Sequence, residues 1–178
     1  MFGYGSLMWR PDFAYVEKTP ARIEGYSRRF WQASPDHRGT PEAPGRVVTL
    51  TKDVAGFTDG FVYQVQSEVW AEVLAVLDLR EQAGFEQIEI QATVADSGVV
   101  NALTYFANSN NPHFLGAAST DVMVEQILHC VGPSGPNRDY LLNLAGTLRQ
   151  YGLNDEHVFE LEAALLERLN GERIGEHE

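Results

Sequence analysis

The spacing of apolar residues changes at about Ser67, and this change constrains the fold more than any other feature of the chain. Before it, strand-like segments follow one another: Met1 to Tyr4, one or two strands within Ala21 to Ser34, then Arg46 to Thr51 and Gly60 to Val65. After it, Val69, Trp70, Val73, Leu74, Val76 and Leu77 recur at helical spacing. Ser67 is the expected N-cap of that helix, and Gly84 suits a cap or tight turn beyond its end. Gln87 to Ala95 and Val99 to Ala107 read as strands again, joined by the hairpin signal Asp96-Ser97-Gly98. Helices follow from Thr120, as cap, to about Cys130, then over Asn137 to Tyr151 and Asp155 to Leu169. Loops are expected at Pro35 to Gly45, Asn108 to Gly116 and Gly132 to Pro136. These elements predict one α+β domain over residues 1–170, a mostly antiparallel, barrel-like sheet with helices packed around it. Residues 171–178 are expected to form a polar, frayed C-terminal tail.

The chain's 178 residues are enough for one such core, and 44% apolar with 21% charged residues places it among globular proteins. No apolar run approaches the ~20 residues needed to span a bilayer, so no membrane partner is expected. No signal or transit peptide is visible ahead of the first strand. Cys130 is the only cysteine, which excludes an intramolecular disulfide and leaves a small, buried hydrophobe as its expected role. A cytoplasmic monomer is the expectation that fits these points.

A net charge of −12 argues against general nucleic-acid binding. The charge is uneven, however. Residues 1–52 hold 8 Lys+Arg against 5 Asp+Glu, and the remainder holds 5 against 20. A small anionic ligand is therefore met best by the N-terminal segment, with Arg10, Arg22, Arg28, Arg29, Arg38 and Arg46. Any one of these arginines also reads as a solvated strand or loop residue.

Two places carry candidate chemistry. The first is the turn Gly3-Tyr4-Gly5-Ser6-Leu7-Met8, where glycines allow positive φ or close approach of a ligand. Consecutive backbone N–H groups in such a turn can converge on one anionic oxygen. The second is Glu81, at or just past the end of the helix that starts near Ser67. A carboxylate there faces the negative end of the helix dipole, and Leu77, Leu79, Ala83 and Phe85 can partly desolvate it. Both effects raise its pKa, as a general base working near neutrality requires. Arg80 opposes them only if it folds back onto the same carboxylate. Pattern alone also describes a solvent-facing glutamate, and describes it better.

Other chemistries have little support. The five histidines form no His-x-x-x-His pair and no Cys-x-x-Cys exists, so neither a metal nor another cofactor is expected. Gly-Tyr-Gly-Ser-Leu is not the Gly-x-Ser-x-Gly elbow of hydrolases, and no Gly-Lys-Ser/Thr follows to make a P-loop.

Several strings occur in order: Phe2-Gly3-Tyr4-Gly5-Ser6-Leu7, Tyr26-Ser27-Arg28-Arg29-Phe30-Trp31-Gln32, Asp36-His37-Arg38-Gly39 and Pro44-Gly45-Arg46-Val47-Val48-Thr49-Leu50. Leu79-Arg80-Glu81, Asn111-Pro112, Leu115-Gly116 and Gly132-Pro133-Ser134-Gly135 follow. The ordered set resembles the ChaC-type, glutathione-specific γ-glutamylcyclotransferases from Phe2 to about Leu169. The resemblance implies that fold, and an enzyme that converts glutathione to 5-oxoproline and Cys-Gly. It implies that Gly3, Tyr4, Gly5, Ser6, Leu7 and Met8 hold the γ-glutamyl group and that Glu81 is the acid/base. The basic N-terminal segment adds Arg38, Arg46 or Arg10 as the group that meets a substrate carboxylate.

Two positions depart from the pattern. Phe85 and Phe114 stand where the family commonly has tyrosine, so two hydroxyls are missing that can orient substrate. The chain starts abruptly at its first strand, which leaves open residues upstream of Met1. Two further readings stay open: a cyclotransferase for other γ-glutamyl peptides or amines, and a non-catalytic glutathione-binding protein.

Overall fold

The computed structural model describes residues 1–175. Strands β1 (Phe2–Gly3), β2 (Glu17–Ser34), β3 (Gly45–Gln64), β4 (Glu86–Val94) and β5 (Gly98–Phe106) make one antiparallel sheet in the order β1-β3-β2-β4-β5. Helix α1 (Trp70–Arg80) links β3 to β4. Helix α2 (Thr120–His129), the short hairpin β6 (Val131–Gly132) and β7 (Gly135–Pro136), then α3 (Asn137–Gln150) and α4 (Glu156–Gly175) complete the chain. The α+β class holds, but the sheet is not closed into a barrel. Its ends are tied by hydroxyls instead of a ladder: Thr104 Oγ1 donates to Phe2 O (2.9 Å), and Tyr4 Oη donates to Tyr105 O (2.8 Å). No helix among the described residues is long and apolar enough to cross a membrane.

β2 and β3 are longer than their apolar patterns suggest. Lys52 to Asp59 reads as a break, yet β3 runs through it, because β2 supplies partners on both sides. Tyr26 pairs with Lys52 and Glu24 with Phe57, so residues 53–56 bulge out opposite Gly25. A second register shift lies between Arg29 and Gln32. Bulged backbone loses ladder partners and needs others. Phe30 N–H donates to His157 Nε2 (3.1 Å), and Phe30 O accepts from Arg46 (2.9 Å).

The helices cover one side of this hairpin. Val124, Ile127, Leu141, Leu144, Leu148, Val158, Leu161 and Leu165 are almost wholly buried, and so are Phe30, Val48, Leu50 and Phe61 of the strands. Several boundaries moved. Ser67 makes no side-chain cap, and α1 begins at Trp70. Ser119, not Thr120, caps α2 by accepting from Val122 N–H, while the Thr120 hydroxyl donates to Glu160. α4 continues through Gly175, so residues 171–175 of the expected tail are helical, and 176–178 lie outside the described residues.

Candidate active site

β1 ends at Gly3, and Tyr4 and Gly5 lead into one 3₁₀ turn over Ser6–Met8. Met8 N–H donates to Gly5 O and Arg10 N–H to Ser6 O, both at 2.9 Å. So short a turn leaves its first amides unused. Among the described residues, Gly5, Ser6 and Leu7 N–H donate to no protein acceptor, and all three residues line a cavity of about 240 Å³. Neither Gly3 nor Gly5 has positive φ. A Cβ on Gly3 would stand 2.7 Å from Leu7 Cβ, where the turn folds back on itself, and one on Gly5 would stand 2.9 Å from Tyr140 Oη, where α3 packs against the turn.

Glu81 immediately follows α1. Its N–H still donates to Leu77 O (2.9 Å), and φ −99°, ψ 50° then turn the chain out of the helix. The side chain enters the same cavity as the turn. Burial pushes its carboxyl above the ordinary carboxylate range, Arg80 and His37 pull it down, and Asp36 adds a smaller upward push. The desolvating wall includes Ala83 and Phe85 but not Leu79, which is 73% exposed on the far side of α1.

Arg80 does fold back towards Glu81, with Nε 3.6 Å from Oε1. Its terminal nitrogens are directed elsewhere: to Ser6 Oγ (2.6 Å), Arg10 O (3.1 Å) and Asp12 Oδ2 (3.4 Å). One guanidinium thus joins the amide turn to the end of α1. Behind Glu81, the fully buried Gln32 donates to Ala83 O (2.7 Å) and exchanges hydrogen bonds with the Asn111 amide (both 3.1 Å). Gly84 has φ +85°, and a Cβ there would fall 2.4 Å from Asn111 Oδ1. Glycine is required at that position by both conformation and space.

Arg38 and Arg10 line the cavity. Arg38 is held by Pro136 O (3.1 Å) and stands 5.6 Å from the Tyr140 ring. Arg46 is not at the cavity. It is buried at the β2 bulge, where it binds Phe30 O and Gln126 Oε1, so its charge serves backbone left unpaired by the register shift. Met8 lies beneath the turn, fully buried beside Arg28, and takes no part in the lining. Phe85 lines the cavity, whereas Phe114 packs edge-on against Trp31 outside it.

His37, Ser134, Tyr105 and Tyr140 also line the cavity and were not singled out by residue chemistry. Asp36-His37-Arg38-Gly39 and Gly132-Pro133-Ser134-Gly135 were visible as strings, but nothing local indicates that they meet. Among the described residues, no group of three His, Cys, Asp or Glu could hold a metal ion.

A carboxylate of raised pKa, unpaired amides and the guanidinium groups of Arg10, Arg38 and Arg80 around one cavity suit proton transfer on a small anionic molecule whose carbonyl gains negative charge. The family model described as ChaC-like protein matches residues 1–168. The chain is 44% identical to glutathione-specific gamma-glutamylcyclotransferase 1 of Rattus norvegicus over 164 residues, covering 89% of this chain and 74% of that protein. It is 41% identical to the protein of the same name in Danio rerio, over 93% of this chain and 88% of the other. The crystal structure of a yeast γ-glutamyl cyclotransferase specific to glutathione superimposes with a TM-score of 0.86 at 29% identity, covering 93% of this chain and 94% of that one.

Proposed function

The chain belongs to the ChaC-like protein family, and from that membership we propose that it is a glutathione-specific γ-glutamylcyclotransferase, releasing 5-oxoproline and Cys-Gly. The observation that carries this reading is the placement of a largely desolvated carboxylate, Glu81, in one cavity with the free amides of Gly5 to Leu7.

The reaction is an internal transamidation. The α-amine of the γ-glutamyl group attacks its own γ-carbonyl, a five-membered ring closes, and the bond to the cysteine nitrogen breaks. Intramolecular attack in a fixed geometry carries an effective molarity of about 10⁵ M or more. The protein's part is to fold the substrate and move two protons. Glu81, with its pKa raised by burial, takes a proton from the α-ammonium group and returns one to the departing amine, a service worth about 10²–10⁴-fold. Amides of Gly5, Ser6 and Leu7 donate to the oxygen that becomes negative as the tetrahedral centre forms. Arg38 or Arg10 meets a carboxylate of the substrate.

The same reading takes the protein as a cytoplasmic monomer with one domain over residues 1–170 and a small-molecule partner, without nucleic acid, membrane or cofactor. The net charge of −12 supports the absence of a nucleic-acid partner. The deciding experiment incubates the purified protein with glutathione and follows 5-oxoproline and Cys-Gly by mass spectrometry. Equal amounts of both from the wild type, and a loss of at least ~10²-fold in Glu81→Gln, are expected. Turnover by Glu81→Gln near the wild-type rate would overturn the role given to Glu81. Failure of the wild type to act on glutathione while cleaving γ-glutamyl-alanine would overturn the substrate.

A further inference from the structure

His37 and Ser134 have no part in this mechanism, yet the fold brings them together beside its base. The loop from β2 to β3 carries His37, and the β6–β7 hairpin carries Ser134. His37 Nδ1 lies 3.1 Å from Ser134 Oγ, and Nε2 lies 3.0 Å from the carbonyl oxygen of Arg80, the peptide unit that ends in Glu81 N. A carbonyl only accepts, so Nε2 carries a hydrogen and donates it. Nδ1, beside Ser134 Oγ, accepts from that hydroxyl when it carries no hydrogen and donates to it when it does, so Nε2 is the nitrogen that donates to the carbonyl in either form. The backbone is clamped in the same way. Ser134 N–H donates to His37 O (2.9 Å), and a Cβ on Gly132 would come within 2.3 Å of that oxygen.

The Arg80 carbonyl matters because α1 ends there. Carbonyls of a helix's last turn lack intrahelical partners, and an unheld helix end frays. Here the final peptide must hold Glu81 in the cavity. We propose that His37 is a positioning residue for Glu81. It donates through Nε2–H to the Arg80 carbonyl and fixes the peptide from which the carboxylate projects, and the Gly132–Gly135 loop holds its ring in the donating orientation. The proposal rests on the acid/base role given to Glu81, and it assigns a function to His37 and Ser134.

Glutamine and asparagine separate the two ring nitrogens. In His37→Gln the side-chain amide reaches about where Nε2 stands and can donate to Arg80 O. In His37→Asn it reaches only about as far as Nδ1. Steady-state kinetics with glutathione should show kcat lowered about 10–100-fold in His37→Asn and His37→Leu, as for a reacting group displaced by about an ångström, with KM within about threefold. His37→Gln should recover kcat to within about threefold of wild type, and Ser134→Ala should lie between. In a Glu81→Gln background, His37→Asn should cause no further loss, because no base remains to position. Two outcomes would overturn the proposal. One is wild-type kcat in both His37→Asn and His37→Leu. The other is a folded His37→Gln as slow as His37→Asn, which would mean that the imidazole itself is needed. Failure of the Glu81 reading shows separately, as an active Glu81→Gln single variant.

Discussion

Arg80 and Glu81 are adjacent in sequence, and their interaction sets the pH range of the site. Burial raises the Glu81 pKa, and the Arg80 guanidinium 3.6 Å away partly reverses the shift. The base works only when deprotonated, so turnover falls as pH drops through its pKa. Removing the Arg80 charge leaves burial less opposed and raises that pKa further. The acid limb of kcat in Arg80→Met should therefore move to higher pH than in wild type. KM should rise as well, because Ser6 Oγ and the Arg10 carbonyl lose their donor and the amide turn is less firmly held. A pH–rate profile of the two proteins tests both effects, and an acid limb that stays put or moves down contradicts the electrostatic account. Legibility at this scale divided by range. Glu81 at a helix end and the amide turn could be read locally. Arg46 could not, because the Phe30 carbonyl that it serves is unpaired only through a register shift between two strands.

Elements decide how well the base is supported. The segment between α1 and β4 is short, and Gly84 within it must hold φ +85° while packed on Asn111. The Asn111 amide in turn holds Gln32, and Gln32 holds Ala83 O. Gly84→Ala should cost about 1–2 kcal/mol for the left-handed backbone alone, with more from displacing Asn111. For a domain of this size each kcal/mol lowers Tm by about 2–4 °C. A drop of that size together with reduced kcat is expected from thermal unfolding and turnover assays. An unchanged Tm would show that the segment relaxes freely and that the Gln32–Asn111 pair supports nothing. Gly84 was recognisable in sequence as a turn residue, and the β4–β5 hairpin was read within a residue at each end. The continuity of β2 and β3 was hidden by a different cause. Residues 53–56 bulge out of the ladder with Val54 fully exposed, and apolar alternation is silent where neither face is covered. The meeting of the Gly132–Gly135 loop with His37 was equally opaque, since His37 lies 97 residues from Ser134 in sequence.

At the scale of the whole molecule, the last helix is joined to the sheet by polar contacts that depend on pH. Asp155 stands at the start of α4, where its Oδ1 accepts from Val158 N–H (3.1 Å) and its Oδ2 from the fully buried Arg28 of β2 (2.8 Å). Two residues on, His157 Nε2 accepts from Phe30 N–H, so the neutral ring is the form that fits. Burial first, and the Arg29 charge second, lower its pKa to about 4 from 6.5. Between these values the unfolded chain binds the proton and the folded chain does not. Acidification therefore favours unfolding, beginning near pH 6.5 and levelling off below about pH 4. The shift corresponds to at most about 3 kcal/mol, reached towards the lower end of that window. His157→Gln keeps an acceptor for Phe30 N–H and cannot titrate. Urea midpoints at pH 7 should be similar in the two proteins, whereas near pH 4.5 the wild type should have lost about 2–3 kcal/mol more than the variant. Parallel loss in both proteins would mean that acid acts elsewhere than at His157.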